Sequence, residues 1–79
     1  MTEVEITSEP VELYKILKFE GLVASGGEAK LVIAEGLVLV NGKPETRKRR
    51  KIVSGDVIGF GDDILRICLK NNETQSGQL

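Results

Sequence analysis

Five cations follow one another without interruption at Arg47, Lys48, Arg49, Arg50 and Lys51, between an apolar segment at residues 37–40 and the apolar pair Ile52-Val53. Like charges in such a run repel, so mounting them on core-bound chain costs stability unless an anion relieves them. Phosphate suits this chemistry: guanidinium groups offer a planar donor fork and ammonium groups a compact charge. Residues 43–51 carry six basic side chains, Lys43 included, and one acid, Glu45, for a local charge of +5, whereas residues 1–10 carry three acids and no base. That separation of sign outweighs the formal net charge of -1 as a guide to binding. In an extended run, Arg47, Arg49 and Lys51 point one way while Lys48 and Arg50 point the other, so one partner surface meets only part of it. A merely solvated face is the rival reading of any such run.

Ser25, Gly26, Gly27 and Lys30 form a second candidate group. Ser25 caps a helix, and two glycines in a first turn, each unfavourable in a helix by up to about 1 kcal/mol relative to alanine, leave bare N–H groups open to an anion. Lys30 flanks the same spot. Lys15 and Lys18 extend the positive surface along an earlier helix, with Tyr14 beside Lys18 at i+4. Asn41 serves turn geometry first and ligand contact second. Catalysis has no foothold: the chain has no histidine, Cys68 lacks a neighbouring base, and Asp62-Asp63 fall in a turn without paired geometry. Neither a phosphate-loop signature nor a cofactor fingerprint is present, so no cofactor and no metal are expected.

These side chains need a scaffold, and 79 residues allow one small domain. Hydrophobic residues make up 41% and charged residues 29%, which fits a globular module, and no apolar run approaches the roughly 20 residues needed to span a bilayer. An acidic start without a signal-like apolar region makes the cytoplasm the expected location. One cysteine excludes an internal disulfide.

Residues 1–7 admit either a short edge strand built on Val4 and Ile6 or disorder, and are set apart as an N-terminal extension. Ser8, Glu9 and Pro10 predict a helix start, with Leu13, Ile16 and Leu17 as its apolar stripe and Gly21 its stop. Ser25 and Glu28 spell a capping box for a second helix with the stripe Ala29, Val32 and Ile33, ended by Gly36. Residues 37–40 then read as a strand, and Asn41-Gly42 as a two-residue hairpin turn. Lys43, Pro44 and Glu45 leave that hairpin irregularly, since proline cannot donate to a ladder. Ile52 and Val53 return to the core, Val57, Ile58 and Phe60 begin another strand, and residues 64–69 form the last, with Leu65, Ile67 and Leu69 on one face. Phe19 and Phe60 are assigned to the core. The pattern is α+β: two short packed helices followed by a small sheet of three to four short, mainly antiparallel strands, forming one domain over residues 8–69 with a disordered tail at 70–79.

The ordered combination of Leu13 and Leu17, Ser25, Ala29-Lys30, Ile33, Gly36, Val38-x-Val40-Asn41-Gly42 and Gly55-Asp56 resembles the S-four RNA-binding domain, also called the alpha-L motif. The likeness covers residues 10 to 60, and the length matches small stand-alone bacterial proteins of that type. Two places depart from the family pattern. Val11, Glu12 and Leu13 stand where Arg-Leu-Asp is common, and Lys30 replaces a commoner arginine, keeping the charge without the fork. The resemblance implies an RNA-binding module for structured RNA, with ribosomal RNA, the ribosome or its precursor as candidate partners, and the chain is expected to act as a monomer. With three aromatic residues in the chain, a base-stacking platform is disfavoured and phosphate-backbone recognition favoured. The site expected on this reading is Lys15, Lys18, Ser25, Gly26, Gly27, Lys30, Asn41, Lys43 and residues 47–51. A protein-interaction adaptor that meets an acidic partner is the alternative.

Overall fold

Leu13, Ile16 and Leu17 on one helix and Ala29 and Ile33 on the next are all buried, so the two stripes face a shared core. The computed structural model describes residues 1–70. In chain order the elements are β1 (Thr2–Ile6), β2 (Val11–Glu12), α1 (Leu13–Phe19), α2 (Gly26–Ala34), β3 (Val38–Val40), β4 (Lys43–Pro44), β5 (Lys51–Ile52), β6 (Val57–Phe60) and β7 (Asp63–Leu69). They build a five-stranded sheet ordered β1-β7-β6-β3-β4 and a separate two-stranded pair, β2-β5. The fold is thus α+β with a mainly antiparallel sheet, and its strand count exceeds the three or four expected. Inward-facing Val38, Val40, Ile58, Leu65 and Ile67 share one hydrophobic core with the buried residues of both helices.

Within residues 1–7, which the sequence leaves open, Thr2–Ile6 form a strand. β1 lies parallel to β7 with Val4 opposite Ile67 and Ile6 opposite Leu69, and Val4 and Ile6 enter the core. Helix α1 starts later than Ser8-Glu9-Pro10 suggests, because Val11 and Glu12 pair with Ile52 and Lys51. Its free N-terminal donors are met by distant carbonyls: Leu13 N–H donates to Arg50 O at 2.9 Å and Tyr14 N–H to Lys48 O at 3.2 Å. The cationic run is therefore stitched to the head of α1.

The second helix follows its sequence signals. Ser25 Oγ accepts from Glu28 N–H, while Glu28 Oε1 reaches back to Ala24 N–H. At its far end, Gly36 N–H bonds Ile33 O and Leu37 N–H bonds Val32 O, with Gly36 at φ 78°, a left-handed stop that a side chain would strain.

Asn41 and Gly42, at φ 54° and 86°, turn β3 into β4 as a two-residue hairpin. Pairing continues past the turn, contrary to the irregular exit expected: Pro44 sits opposite Leu39 on an edge strand, where its missing donor costs nothing, and Glu45 N–H still reaches Val38 O. Asn41 also joins two parts of the chain. Its Nδ2 donates to Asp56 Oδ1 at 3.0 Å, and its Oδ1 accepts from Val57 N–H at 2.9 Å. Asp56 Oδ2 in turn accepts from Val53 N–H. Asn41→Ala removes both bonds and places a side chain unsuited to the left-handed region, so urea denaturation is expected to show a loss of about 1–3 kcal/mol.

Two core assignments are corrected. Phe19 is 73% exposed, because it lies roughly 200° around the helix from Leu17 and so off the buried stripe. Val53 is exposed, since adjacent residues of extended chain face opposite ways and Ile52 takes the core. Leu69 shares a side with Leu65 and Ile67 but sits exposed at the strand end. Lys70, the first residue of the expected disordered tail, is instead tied to the sheet by its N–H bond to Ile6 O; the remainder of that expectation, 71–79, lies outside the described residues.

Candidate functional site

Geometry changes the meaning of the cationic run. It is bent: Arg50 N–H bonds back to Arg47 O, closing a turn at Lys48 and Arg49, so the alternation expected of an extended strand does not apply. Lysines 48 and 51 and Arg49 are exposed, whereas Arg50 is partly covered. Arg47, Arg49, Arg50 and Lys51 together line a shallow open concavity.

Glu45, the single acid of the basic stretch, organises the bend. It is the one buried polar or charged side chain among the described residues. Arg47 grips it with two guanidinium bonds, Nε to Oε2 at 2.9 Å and the terminal nitrogen to Oε1 at 3.1 Å, and adds its backbone N–H at 2.9 Å. Arg50 donates to Oε1 at 2.7 Å. Bidentate, charge-assisted bonding of this kind fixes geometry as well as charge. The side-chain bond from Arg47, then its backbone N–H, bring the Glu45 carboxyl down from 4.5 to about 2, against the upward push of burial and with further help from Arg50. The same bond with Glu45 raises the Arg47 guanidinium pKa.

A depressed carboxyl stabilises the fold fully above its unfolded value and loses that contribution as pH falls through the folded value. The difference in urea midpoint between the native chain and Glu45→Gln is therefore expected to be constant above about pH 5. It should narrow between pH 4.5 and about 2. A gap unchanged down to pH 2 contradicts the assignment.

Glu12 plays a lesser part from the head of α1. Arg49 approaches both its oxygens at 3.4 Å and Lys15 lies at 3.7 Å. Partial burial works to raise the Glu12 pKa, but the charge and hydrogen bond of Arg49, then Lys15 and Lys51, outweigh it and hold the carboxyl below its usual range.

Tyr14 is where three chain segments meet. Its ring lies 4.8 Å from Lys30 Nζ on α2, 5.6 Å from the Arg49 guanidinium in the loop and 6.0 Å from Lys15 Nζ on its own helix. Each distance is within cation–π reach. Gly26 borders the same ring, since a Cβ there would stand 3.9 Å from Tyr14 Cδ2 and Cε2. The N–H groups of Gly26 and Gly27 have no acceptor among the described residues, while the Ser25 hydroxyl is engaged as the cap. A second open concavity, lined by Lys15, Arg49 and Lys51 with Glu12, continues this surface.

Of the expected site residues, Lys15, Lys30, Arg49 and Lys51 are gathered on this surface, with Lys48 at the turn and Gly26 beside Tyr14. Arg47 and Arg50 are anchored to Glu45. Lys18 and Lys43 are exposed and take no part in this gathering. The Asn41 amide is occupied inside the fold. Sequence reading missed Glu45, Glu12 and the hub role of Tyr14. Glu45 carried a signal, as the lone acid two and five residues ahead of arginines; Glu12, distant in sequence from Arg49, carried none.

The chain has relatives among known proteins. The family model described as "S4 domain" matches residues 4–68. The chain is 49% identical over 57 residues to "Putative RNA-binding protein YbcJ" of Escherichia coli (strain K12), a match covering 72% of this chain and 81% of the relative. It is 41% identical over 61 residues to "Probable ribosome maturation protein RlbA" of Bacillus subtilis (strain 168), across 73% of this chain and 86% of that one. The solution structure of YbcJ from E. coli, described as revealing an alfaL motif involved in RNA-binding, aligns with a TM-score of 0.67 at 43% identity, covering 86% of this chain and 87% of the other.

Proposed function

The chain belongs to the S4 domain family, and on that premise we propose that it binds structured RNA through phosphate contacts made by the face around Tyr14. The RNA-binding description of YbcJ and its structure supports the ligand class, and the ribosome maturation name of RlbA favours ribosomal RNA or a ribosomal precursor as its source. One observation carries the site: cations from α1, α2 and the 47–51 loop converge on a single tyrosine ring. In this reading Lys15, Lys30, Lys48, Arg49 and Lys51 neutralise phosphates, and the open N–H groups of Gly26 and Gly27 donate to another anionic oxygen. Arg47 and Arg50 shape the loop around Glu45 while keeping their outer donors toward the ligand. The Arg49–Glu12 contact, long and exposed, yields readily to a phosphate.

The role is binding, without catalysis, by a monomer in the cytoplasm. No helix among the described residues is long and apolar enough to cross a membrane. Fluorescence anisotropy with a labelled RNA hairpin tests the proposal, with a DNA duplex of the same stem and a polyglutamate peptide as competitors. The hairpin should bind, and on this reading excess duplex DNA, whose backbone is not A-form, should displace it poorly. Equal or better competition by polyglutamate would instead favour an adaptor for an acidic protein.

A further inference from the structure

At one end of the five-stranded sheet, β1 is paired on one side only, to β7. Lys70 N–H donates to Ile6 O at 2.7 Å. In a parallel ladder that places the backbone groups of Ile6, and by the two-residue repeat those of Val4, on the β7 side. Glu3 and Glu5 consequently turn their N–H and C=O groups to the open side, where no partner stands among the described residues. Immediately beside this edge runs an apolar groove of about 240 Å³. Val4, Glu5 and Ile6 of β1 and the following Thr7 form one wall, and Ile16 and the exposed Phe19 of α1 form the other.

Unused edges are ordinarily blunted, and the opposite edge of this sheet is: β4 has two residues, one of them Pro44. By contrast β1 has five residues, guarded only by the charges of Glu3 and Glu5. Two copies joined through β1 would set those carboxylates near each other, which is unfavourable. A strand of opposite charge converts the same guard into attraction, reinforced by Glu20 at the groove and opposed by Arg66, which faces Glu3 across the ladder.

We propose that this edge and groove dock an extended, lysine- or arginine-rich segment of a protein partner by strand addition. Alternate side chains divide the work: basic residues lie over Glu3 and Glu5, and apolar residues enter the groove against Ile16 and Phe19. The groove shares only Val11 with the concavity that continues the Tyr14 face, and the proposal stands whether or not that face binds RNA.

The test titrates the full chain with a blocked peptide of alternating lysine and valine, seven residues long, and follows backbone amide shifts by NMR. Saturable shifts concentrated at Glu3, Glu5 and Thr7 are expected. Phe19→Ala, at an exposed position that folding tolerates, should weaken binding about tenfold. Glu5→Lys should weaken it further. The same peptide N-methylated at alternate amides keeps its charge but cannot pair, and should not bind. The proposal is overturned by absence of binding, by equal binding of the methylated peptide, or by Phe19→Ala binding as the parent does. Sedimentation showing copies joined through β1, or NMR contacts from residues 71–79 to Phe19 in the free chain, would also overturn it.

Discussion

Replacing Lys48, Arg49 and Lys51 together by alanine is expected to weaken binding of folded RNA by about two orders of magnitude at moderate salt, at roughly 1 kcal/mol for each phosphate interaction removed. The thermal melt should hardly move. Lys48 and Lys51 have no carboxylate within ion-pair distance among the described residues, and Arg49 gives up its exposed 3.4 Å pairing with Glu12 and its place 5.6 Å from the Tyr14 ring. Exposed pairs of that kind contribute little to stability. The backbone carbonyls that receive the head of α1 survive the substitutions, so the loop keeps its place. Choosing these three corrects the trio that an extended run would nominate, Arg47, Arg49 and Lys51. Arg47 is bound to a buried carboxylate, and its removal would confuse a binding defect with a folding one. Anisotropy titrations paired with thermal melts measure both quantities. Unchanged affinity with an intact fold would move the site elsewhere.

Glu45→Ala has its largest expected effect on stability. The change strips the Arg47 backbone N–H of its acceptor, unhooks two guanidinium groups and leaves the surrounding positive charge without its internal counter-charge. A cost of about 1–3 kcal/mol follows from the loss of charge-assisted bonds to a buried acceptor, which for a domain of this size lowers the melting temperature by roughly 5–20 °C. Glu45→Gln keeps the shape and part of the acceptor capacity, so it should melt between the parent and the alanine variant. Melts at neutral pH decide the matter. An alanine variant that melts with the parent would mean that these bonds do not hold the loop.

Much of the scaffold is legible locally. The stripes of the two helices, the capping box of Ser25 and Glu28, the stop at Gly36 and the Asn41-Gly42 turn each depend on neighbours within a few residues, and the chain states them directly. Pairings set by distant segments are not visible in this way. The β1–β7 ladder joins the two ends of the described chain, and Val11-Glu12 become strand only because Lys51 and Ile52 lie beside them. Nothing near Val4 or Val11 announces either partner. The candidate site divides along the same line. Its charge is plain in the sequence, but the bend that separates Lys48 and Arg49 from the anchored Arg47 and Arg50 depends on a burial that Glu45 acquires only in the fold. Lys30 and Arg49 meet at Tyr14 because tertiary packing brings α2 and the loop together, and no spacing rule encodes that meeting.

The central claim, that this face binds RNA by displacing counterions from its phosphates, is tested most directly by the salt dependence of hairpin binding. With about four to six phosphates neutralised, log affinity against log salt should fall with a slope of roughly -3 to -5. A slope near zero, or no binding at low salt, would contradict it.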